Sequence, residues 1–214
     1  MKKILFVTEK KDWFYKHAKK YSIELNNKGY FSKVICDHNK IKNKNDIAFV
    51  LSYYKLVDSK FLKKNRFNIV IHESSLPKGK GWAPLFWQII EGKNIIDFTV
   101  FEIDQSIDGG DYYFKKKMRL RGNELYEEIR LLQAKMRIKC CNQILRNIDK
   151  LKLKKQKGKS TFYRKRTKID SEININKSIK SQFNLLRSTD NKNFPAFFYF
   201  KKKKYILNIF KVIK

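Results

Sequence analysis

Residues 67–84 read FNIVIHESSLPKGKGWAP, and this stretch says most about the fold of the chain. The run from Phe67 to Ile71 is short and apolar, which is typical of a strand buried inside a sheet. His72 stands at the end of that strand, and a loop rich in Gly and Pro follows it. In α/β proteins, ligands bind where such strand-end loops gather at the carboxyl edge of the sheet. We therefore expect His72 to mark a functional site.

Apolar runs alternate with helical patterns on both sides of this strand. Further strands are predicted over 4–8, 30–36, 46–52, 95–102 and 112–120, and helices over 12–27, 84–91 and 124–151. Such an alternation indicates βαβ units. We predict an α/β fold with a doubly wound, mostly parallel sheet.

The C-terminal part differs in pattern from the rest. A basic linker over 152–159 separates a catalytic domain, predicted over 1–151, from a small α+β subdomain over 152–214. This subdomain is predicted to hold a helix over 177–186 and a hairpin of strands 196–200 and 205–212, with the lysines 201–204 in its turn. Exposed apolar strands of this kind make a homodimer plausible.

The formal net charge of +30 is the extreme feature of the composition. It fits either a nucleic-acid or anionic membrane partner, or lysines spread over solvated faces. Nine Arg stand against 41 Lys, although Arg is the better residue for bidentate phosphate contacts. The sequence therefore favours solvated lysines and no specific nucleic-acid partner.

Several other classes of protein are disfavoured. Cys36, Cys140 and Cys141 have no metal-ligand spacing, which predicts reduced thiols, a cytoplasmic protein and no metal. The apolar run at residues 4–7 is too short for a secretion signal or a membrane span. Residues 8–12 read TEKKD and lack the GxGxxG pattern of dinucleotide-binding enzymes.

Residues 107–111 read IDGGD and place a second candidate, Asp108, in a glycine turn. Taken alone, Asp108 fits an ordinary turn and His72 fits a satisfied core histidine equally well. Glu73 is interpreted as a solvated or loop-anchoring carboxylate. Only the combination of His72, its loop and the Asp108 turn indicates an enzyme.

Three segments together carry a family resemblance. HESSLPKGKGWAP at 72–84, WQIIEG at 87–92 and IDGGD at 107–111 resemble the formyltransferase family, which uses 10-formyltetrahydrofolate as cosubstrate. The match covers roughly residues 46–120. The GWAP form of the loop, with segments 164–173 and 194–198, is similar to the branch acting on nucleotide-linked amino sugars, particularly the pseudaminic-acid-type N-formyltransferases. The tRNA enzyme of the family carries a further β-barrel domain, for which 214 residues leave little room.

The resemblance implies acyl transfer from folate to an amine. His72 would stabilise the oxyanion or shuttle the proton, and Asp108 would orient His72 and accept the amine proton. A carboxylate beside an imidazole favours the imidazolium, so the two groups would support each other.

One position departs from the family pattern. Val70 stands where the family places its oxyanion-hole Asn, and Asn68 lies four residues before His72, roughly 13 Å away along a strand. Ser74, Ser75, a backbone N–H or His72 alone is expected to fill that role.

The resemblance also suggests binding residues, placed between the end of the third strand (51–54) and a wall at 101–108. The candidates for folate are Ser52, Tyr53, Gly79, Gly81, Ile107 and Gly109, and those for the sugar nucleotide are Lys10, Trp13, Lys80 and Trp82. Each of the last four also fits an ordinary surface residue. The predicted function is N-formylation of a nucleotide-linked amino sugar in surface-polysaccharide biosynthesis. The alternatives are another small amine as acceptor, or a catalytically impaired basic module that binds nucleic acid or membrane.

Overall fold

The computed structural model describes residues 1–104 and 106–212. Its strands are β1 (Lys3–Val7), β2 (Phe31–Ile35), β3 (Asn45–Val50), β4 (Asn65–His72), β5 (Lys80–Gly81), β6 (Ile95–Glu102), β7 (Tyr112–Arg119), β8 (Phe162–Tyr163), β9 (Ala196–Phe200) and β10 (Lys203–Leu207). Its α-helices are α1 (Tyr15–Asn27), α2 (Ser59–Leu62), α3 (Pro84–Ile90), α4 (Tyr126–Asn147) and α5 (Ile179–Leu186). Short 3₁₀ helices lie at His38–Lys40, Ile148–Lys150 and Lys168–Ser171.

Six strands form the central sheet in the order β2-β1-β3-β4-β6-β7. The first four of these are parallel, whereas β6 runs antiparallel to β4 and β7 antiparallel to β6. The predicted α/β fold with a mostly parallel sheet is therefore confirmed.

The two faces of β4 look into different layers of the core. Ile69 and Ile71 belong to a cluster with residues of α1, α3 and α4, whereas Val70 packs on the other face against a second cluster, which includes Phe61 of α2. Successive side chains of a strand alternate between faces. Because the chain keeps this alternation at the strand end, His72 and Glu73 lie on opposite faces of the sheet.

The long helix α4 buries part of the apolar stripe that the sequence predicts at Leu125, Ile129, Leu132, Met136, Cys140 and Ile144. Ile129, Cys140 and Ile144 are buried. Leu132 and Met136 are only half-buried, whereas Gln133 and Arg137 are buried. The buried face of the helix thus combines part of the apolar stripe with polar side chains that meet the end of the sheet.

The C-terminal hairpin has a tighter turn than predicted. Lys203 and Lys204 pair with Phe200 and Tyr199, so β10 begins two residues earlier than expected. Residues 201 and 202 alone form the turn, and both have positive φ, as two-residue hairpin turns require.

A parallel pair of two-residue strands, β5 and β8, joins the loop after β4 to the C-terminal part. Gly79 N donates to Thr161 Oγ1 at 2.8 Å, just before this pair. Gly81 has a φ of +92°, and a Cβ there would lie 2.5 Å from the carbonyl oxygen of Tyr163. Only glycine fits this approach, so the two parts of the chain are closely joined at this loop.

In the described part of the chain, no helix is long and apolar enough to span a bilayer.

Candidate active site

A cavity of about 1280 Å³ opens at the carboxyl ends of β1, β3 and β4. Its other walls are formed by α4, by segments of the C-terminal part and by Phe101, Ile103, Asp104, Ser106, Ile107 and Asp108. This is the edge of the sheet at which α/β proteins usually bind ligands.

His72 lies in the wall of this cavity, with its side chain only 8% exposed. Its Nε2 is 2.8 Å from the carbonyl oxygen of Gly79. A carbonyl oxygen only accepts, so Nε2 carries a proton. Nδ1 faces Oδ1 of Asp108 at 3.7 Å, which is longer than a hydrogen bond. Both ring nitrogens therefore face oxygen acceptors.

Asp108 is held in a tight turn with a φ of +48°. This conformation is unfavourable for a residue with a side chain and is maintained by neighbouring contacts. Oδ2 accepts from the backbone N of Gly81 at 2.8 Å, and the Asp108 carbonyl accepts from Gln156 Nε2 at 3.0 Å. Oδ1 remains directed at His72, so the fold brings the two predicted catalytic residues together.

Glu73 lies on the opposite face from His72 and is buried rather than solvated. Arg137 Nε donates to Glu73 Oε1 at 2.6 Å, and Arg137 Nη1 donates to Ser52 Oγ at 2.8 Å. Burial alone would raise the pKa of Glu73, but the charge and hydrogen bond of Arg137 outweigh it and lower that pKa below its ordinary value. This ion pair joins the ends of β3 and β4 to α4.

Aromatic rings hold the arginines of α4 in place. The guanidinium groups of Arg130 and Arg137 lie 4.5 and 5.0 Å from the ring centre of Trp13. Trp13 lines the cavity as predicted, but these two cations already occupy part of its ring surface.

The rim of the cavity carries a pair of stacked aromatic side chains. Tyr54 stacks on Trp82 with ring centres 5.4 Å apart, and the Tyr54 hydroxyl donates to Asp12. Lys165 Nζ lies 5.0 Å from the ring centre of Trp82. Trp82 is thus a partly exposed rim residue that contacts both parts of the chain.

The predicted site residues divide into those that line the cavity and those that do not. The lining residues are Trp13, Ser52, Tyr53, His72, Gly81, Trp82, Ile107 and Asp108. Lys10, Ser74, Ser75, Gly79, Lys80 and Gly109 are not among the lining residues. Both predicted folate walls contribute, although position 105 lies outside the described residues.

The two serines lie away from the cavity because the loop turns them elsewhere. Ser74 is buried, and its carbonyl accepts from Thr99 Oγ1 at 2.6 Å. Ser75 Oγ accepts from Lys115 Nζ at 3.2 Å. Neither hydroxyl lines the cavity, so the predicted role of either serine as a replacement oxyanion donor receives no support from its position.

The other outlying residues have local roles. Gly79 contributes the carbonyl that holds the His72 ring, and Gly109 packs tightly against Ser106 within its own turn. Lys80 Nζ lies 5.9 Å from the ring centre of Phe162, and Lys10 is exposed.

Val70 lines the cavity at the position of the missing Asn. Asn68 donates to the carbonyl of Leu62 and accepts from Asn65, outside the lining. Of the predicted side-chain alternatives, His72 is the one that lines the cavity, and its Nε2 proton is directed at the Gly79 carbonyl.

Sequence reasoning missed the cations on the far side of the cavity. The lining also includes Arg130, Gln133, Arg137, Lys165, Arg166, Ser188 and Asp190. The spacing of 130, 133 and 137 on a single helix face was the available signal, together with the scarcity of Arg in so Lys-rich a chain.

Among residues 1–104 and 106–212, no group of three His, Cys, Asp or Glu side chains could hold a metal ion.

The model of the family described as formyl transferase matches residues 2–138. Methionyl-tRNA formyltransferase of Thermodesulfovibrio yellowstonii is 31% identical over 157 residues, which are 70% of this chain and 50% of that protein. The chain spans about half the length of the curated relatives it matches first.

Solved structures share the fold. A sugar N-formyltransferase from Shewanella superposes with a TM-score of 0.70 at 15% identity, covering 100% of both chains. HypX from Aquifex aeolicus in complex with tetrahydrofolic acid superposes with a TM-score of 0.71 at 16% identity, covering 96% of this chain and 37% of that one.

Proposed function

The chain belongs to the formyl transferase family, and on that premise we propose that it transfers a formyl group from 10-formyltetrahydrofolate to the amine of a nucleotide-linked amino sugar. The observation that carries the proposal is the His72–Asp108 pair in the wall of the cavity. A positive charge and a carboxylate side by side are what formyl transfer to an amine requires.

The cavity suits two substrates. Ligand pockets usually measure about 300–1,000 Å³, and this cavity of about 1280 Å³ is larger. Tyr53, Phe101 and Ile103 give it an apolar side next to the polar His72 and Asp108. The tetrahydrofolic acid complex of HypX supports a folate donor here.

The residues of the site would act on the amine and on the formyl oxygen. Formyl transfer forms a bond between the acceptor nitrogen and the formyl carbon, while the bond from that carbon to N10 of the donor breaks. Asp108 Oδ1 is placed to take the proton that the attacking amine loses. The imidazolium of His72 stabilises the negative charge that develops on the formyl oxygen, without help from residue 70. His72 then returns a proton to N10 of the departing tetrahydrofolate, and Asp108 restores it.

The choice of an amino sugar rests on the form of the loop at 79–84. Superposition does not separate the candidates, because the Shewanella sugar enzyme and a methionyl-tRNA formyltransferase from Clostridium thermocellum (TM-score 0.80, 20% identity, 94% of that chain covered) both superpose on the whole of this chain. Methionyl-tRNA is the second candidate, because the curated relatives carry that name and the net charge is +30. Chain length does not separate the two, since the chain spans only half of those relatives. The surface-polysaccharide setting, the cytoplasmic location and the homodimer stay predictions.

The test is a panel of acceptors. The protein is incubated with 10-formyltetrahydrofolate and UDP- or dTDP-linked 4-amino sugars, or with initiator methionyl-tRNA, and release of tetrahydrofolate is followed. We expect release with at least one sugar nucleotide. Release with methionyl-tRNA alone would overturn the proposed sugar acceptor. No release with any acceptor would overturn the proposed activity and favour the catalytically impaired binding module.

A further inference from the structure

The end of the cavity formed by α4 and the C-terminal part carries an excess of positive charge. Arg130, Lys165 and Arg166 line it, and within the described residues none of the three has a carboxylate within 4.0 Å. The neighbouring Arg164, by contrast, is paired with Asp170. A surplus of unpaired cations inside a cavity is unfavourable unless an anion completes it.

The side chain of Arg166 is fixed by its contacts, but its hydrogen-bond donors are not all used. Its Nη1 donates to the carbonyl of Ser188 at 3.1 Å, and its guanidinium lies 6.0 and 5.9 Å from the ring centres of Phe86 and Trp87. Its Nε is buried and has no hydrogen-bond partner among the described residues. Burial lowers the pKa of Arg166. The charge of Asp170, which is paired with Arg164, partly offsets this effect, and the charges of Arg130 and Arg164 add to it.

Ser188 provides a second, independent observation. It lines the same cavity and is only 1% exposed, yet its hydroxyl has no hydrogen-bond partner within the described chain. A buried hydroxyl without a partner is costly, and buried polar groups in folded proteins are nearly always bonded. Two unsatisfied buried donors beside three cations therefore call for a ligand rich in acceptor oxygens.

The remaining polar groups at this end are already engaged. The carboxylate of Asp190 accepts from the backbone N of Lys192 and Asn193 and from the Asn193 amide. Arg130 donates to the Tyr126 hydroxyl at 3.1 Å, which fixes its direction. Asp190, the one carboxylate among the described C-terminal residues that line the cavity, thus stabilises its own turn. Asp170, outside the lining, is paired with Arg164, so the balance of charge in the lining stays positive.

We propose that this end of the cavity is a diphosphate subsite, in which Arg130, Lys165 and Arg166 supply charge and Ser188 supplies a hydroxyl donor. The inference rests on the proposed function, because it assigns the diphosphate to the nucleotide-linked acceptor. Guanidinium groups match phosphate oxygens in a fixed bidentate geometry, and such bonds are among the strongest in proteins. The acceptor then lies with its phosphates on the C-terminal part and its amine towards His72.

The test measures binding without turnover. Inorganic pyrophosphate and UDP are titrated calorimetrically into the full chain and into Arg166→Gln, Arg166→Lys and Ser188→Ala. Lys168→Gln is the matched control, because it removes one positive charge from an exposed side chain two residues away. Thermal unfolding of each variant shows that it is folded.

We expect Arg166→Gln to weaken pyrophosphate binding by about tenfold or more, since a bond to a charged group is lost. Arg166→Lys should lose less, Ser188→Ala about threefold, and Lys168→Gln less than twofold. Equal losses in Arg166→Gln and Lys168→Gln would show that the anion binds the surface lysines diffusely, and would overturn the subsite.

Two further outcomes also overturn it. One is the absence of pyrophosphate and UDP binding by the unaltered chain. The other is a loss of affinity in Arg166→Gln for triglutamyl-tetrahydrofolate but not for pyrophosphate, which would assign these cations to the carboxylates of the folate tail. If the acceptor panel shows no transfer while pyrophosphate binding still depends on Arg166, the proposed activity fails and the subsite stands.

Discussion

Arg137 and Arg166 line the same cavity, yet their charges are balanced in opposite ways. Arg137 is bonded to Glu73 and Ser52. Arg166, by contrast, has no carboxylate within 4.0 Å and a buried nitrogen without a partner among residues 1–104 and 106–212. The charge of Arg137 is balanced within the protein, by Glu73. The charge of Arg166 is balanced only when an anionic ligand binds.

The same contrast separates the two walls of the cavity. On the wall built by β3 and β4, Glu73 is paired with Arg137 and the ring of His72 faces the carboxylate of Asp108. On the C-terminal wall, cations collect around a single carboxylate. Ion pairs inside a protein stabilise the fold or position side chains, whereas unpaired cations indicate sites where a bound anion supplies the opposite charge.

The sharpest test of this contrast is Glu73→Gln. It leaves Arg137 buried without a counter-charge, and breaking a buried pair in this way costs about 3–5 kcal/mol. We expect the free energy of unfolding, measured by urea denaturation, to fall by that amount. Arg166→Gln is the matched comparison and should change it by less than about 1 kcal/mol, because no ion pair is broken.

Equal losses of stability in Glu73→Gln and Arg166→Gln would contradict the distinction between the two arginines. The double variant Glu73→Gln/Arg137→Met sharpens the result. It removes both charges, so it should recover part of the stability lost in Glu73→Gln.

The second prediction is that substitutions in the two walls of the cavity affect different kinetic constants. His72→Ala and Asp108→Asn should each lower kcat by at least about a hundredfold, because both groups act on the reacting atoms. Arg166→Gln should instead raise KM for the acceptor and leave kcat within a few-fold. A variant of His72 or Asp108 with near-normal turnover would mean that its role has been assigned wrongly.

The third prediction concerns acid. The pKa of Glu73 is lower in the folded state than its ordinary value of 4.5, so its ion pair contributes stability above that value and loses it as the pH falls through the folded pKa. The difference in unfolding free energy between the unaltered chain and Glu73→Gln should be large at pH 7 and shrink below pH 4.5. A difference that stays constant into acid would show that Glu73 is not ionised in the fold.

The smallest expected effect is that of Asp190→Asn. It removes the one carboxylate of the cationic wall while keeping an oxygen that can accept from the Lys192 and Asn193 amides. Pyrophosphate should bind about two- to fivefold more tightly, as for the removal of a partly screened like charge. Weaker binding, checked in the same calorimeter, would indicate that Asp190 positions Arg130 instead of opposing the ligand.

Much of the sheet could be predicted because its strands coincide with apolar runs in the sequence. β6 over Ile95–Glu102 coincides with its predicted range, and the other sheet strands differ from theirs by a few residues. The meeting of His72 and Asp108 could also be anticipated, because the family motif and the edge of a parallel sheet indicate the same place.

What could not be predicted depends on contacts that leave no periodic pattern. β5 and β8 are two residues each, and nothing in Lys80–Gly81 or Phe162–Tyr163 alone indicates their pairing. Arg137 belongs to a buried helix face only because Glu73 and Ser52 satisfy it there, and a stripe of apolar residues nearby seemed the better core. The roles of Ser74 and Ser75 were expected from their nearness in sequence to His72, but their direction is set by the turn of the loop.

The pairing of β5 with β8 has a consequence for the order of events during synthesis. The sheet and its helices lie within the first 150 residues, and N-terminal parts of a chain fold first as they leave the ribosome. The loop that holds the His72 ring gains its hydrogen bonds to residues 161–163 only once those residues have emerged. The nascent chain would therefore carry a formed sheet with an unfinished site, and the ring of His72 would be among the last of its parts to be fixed in place.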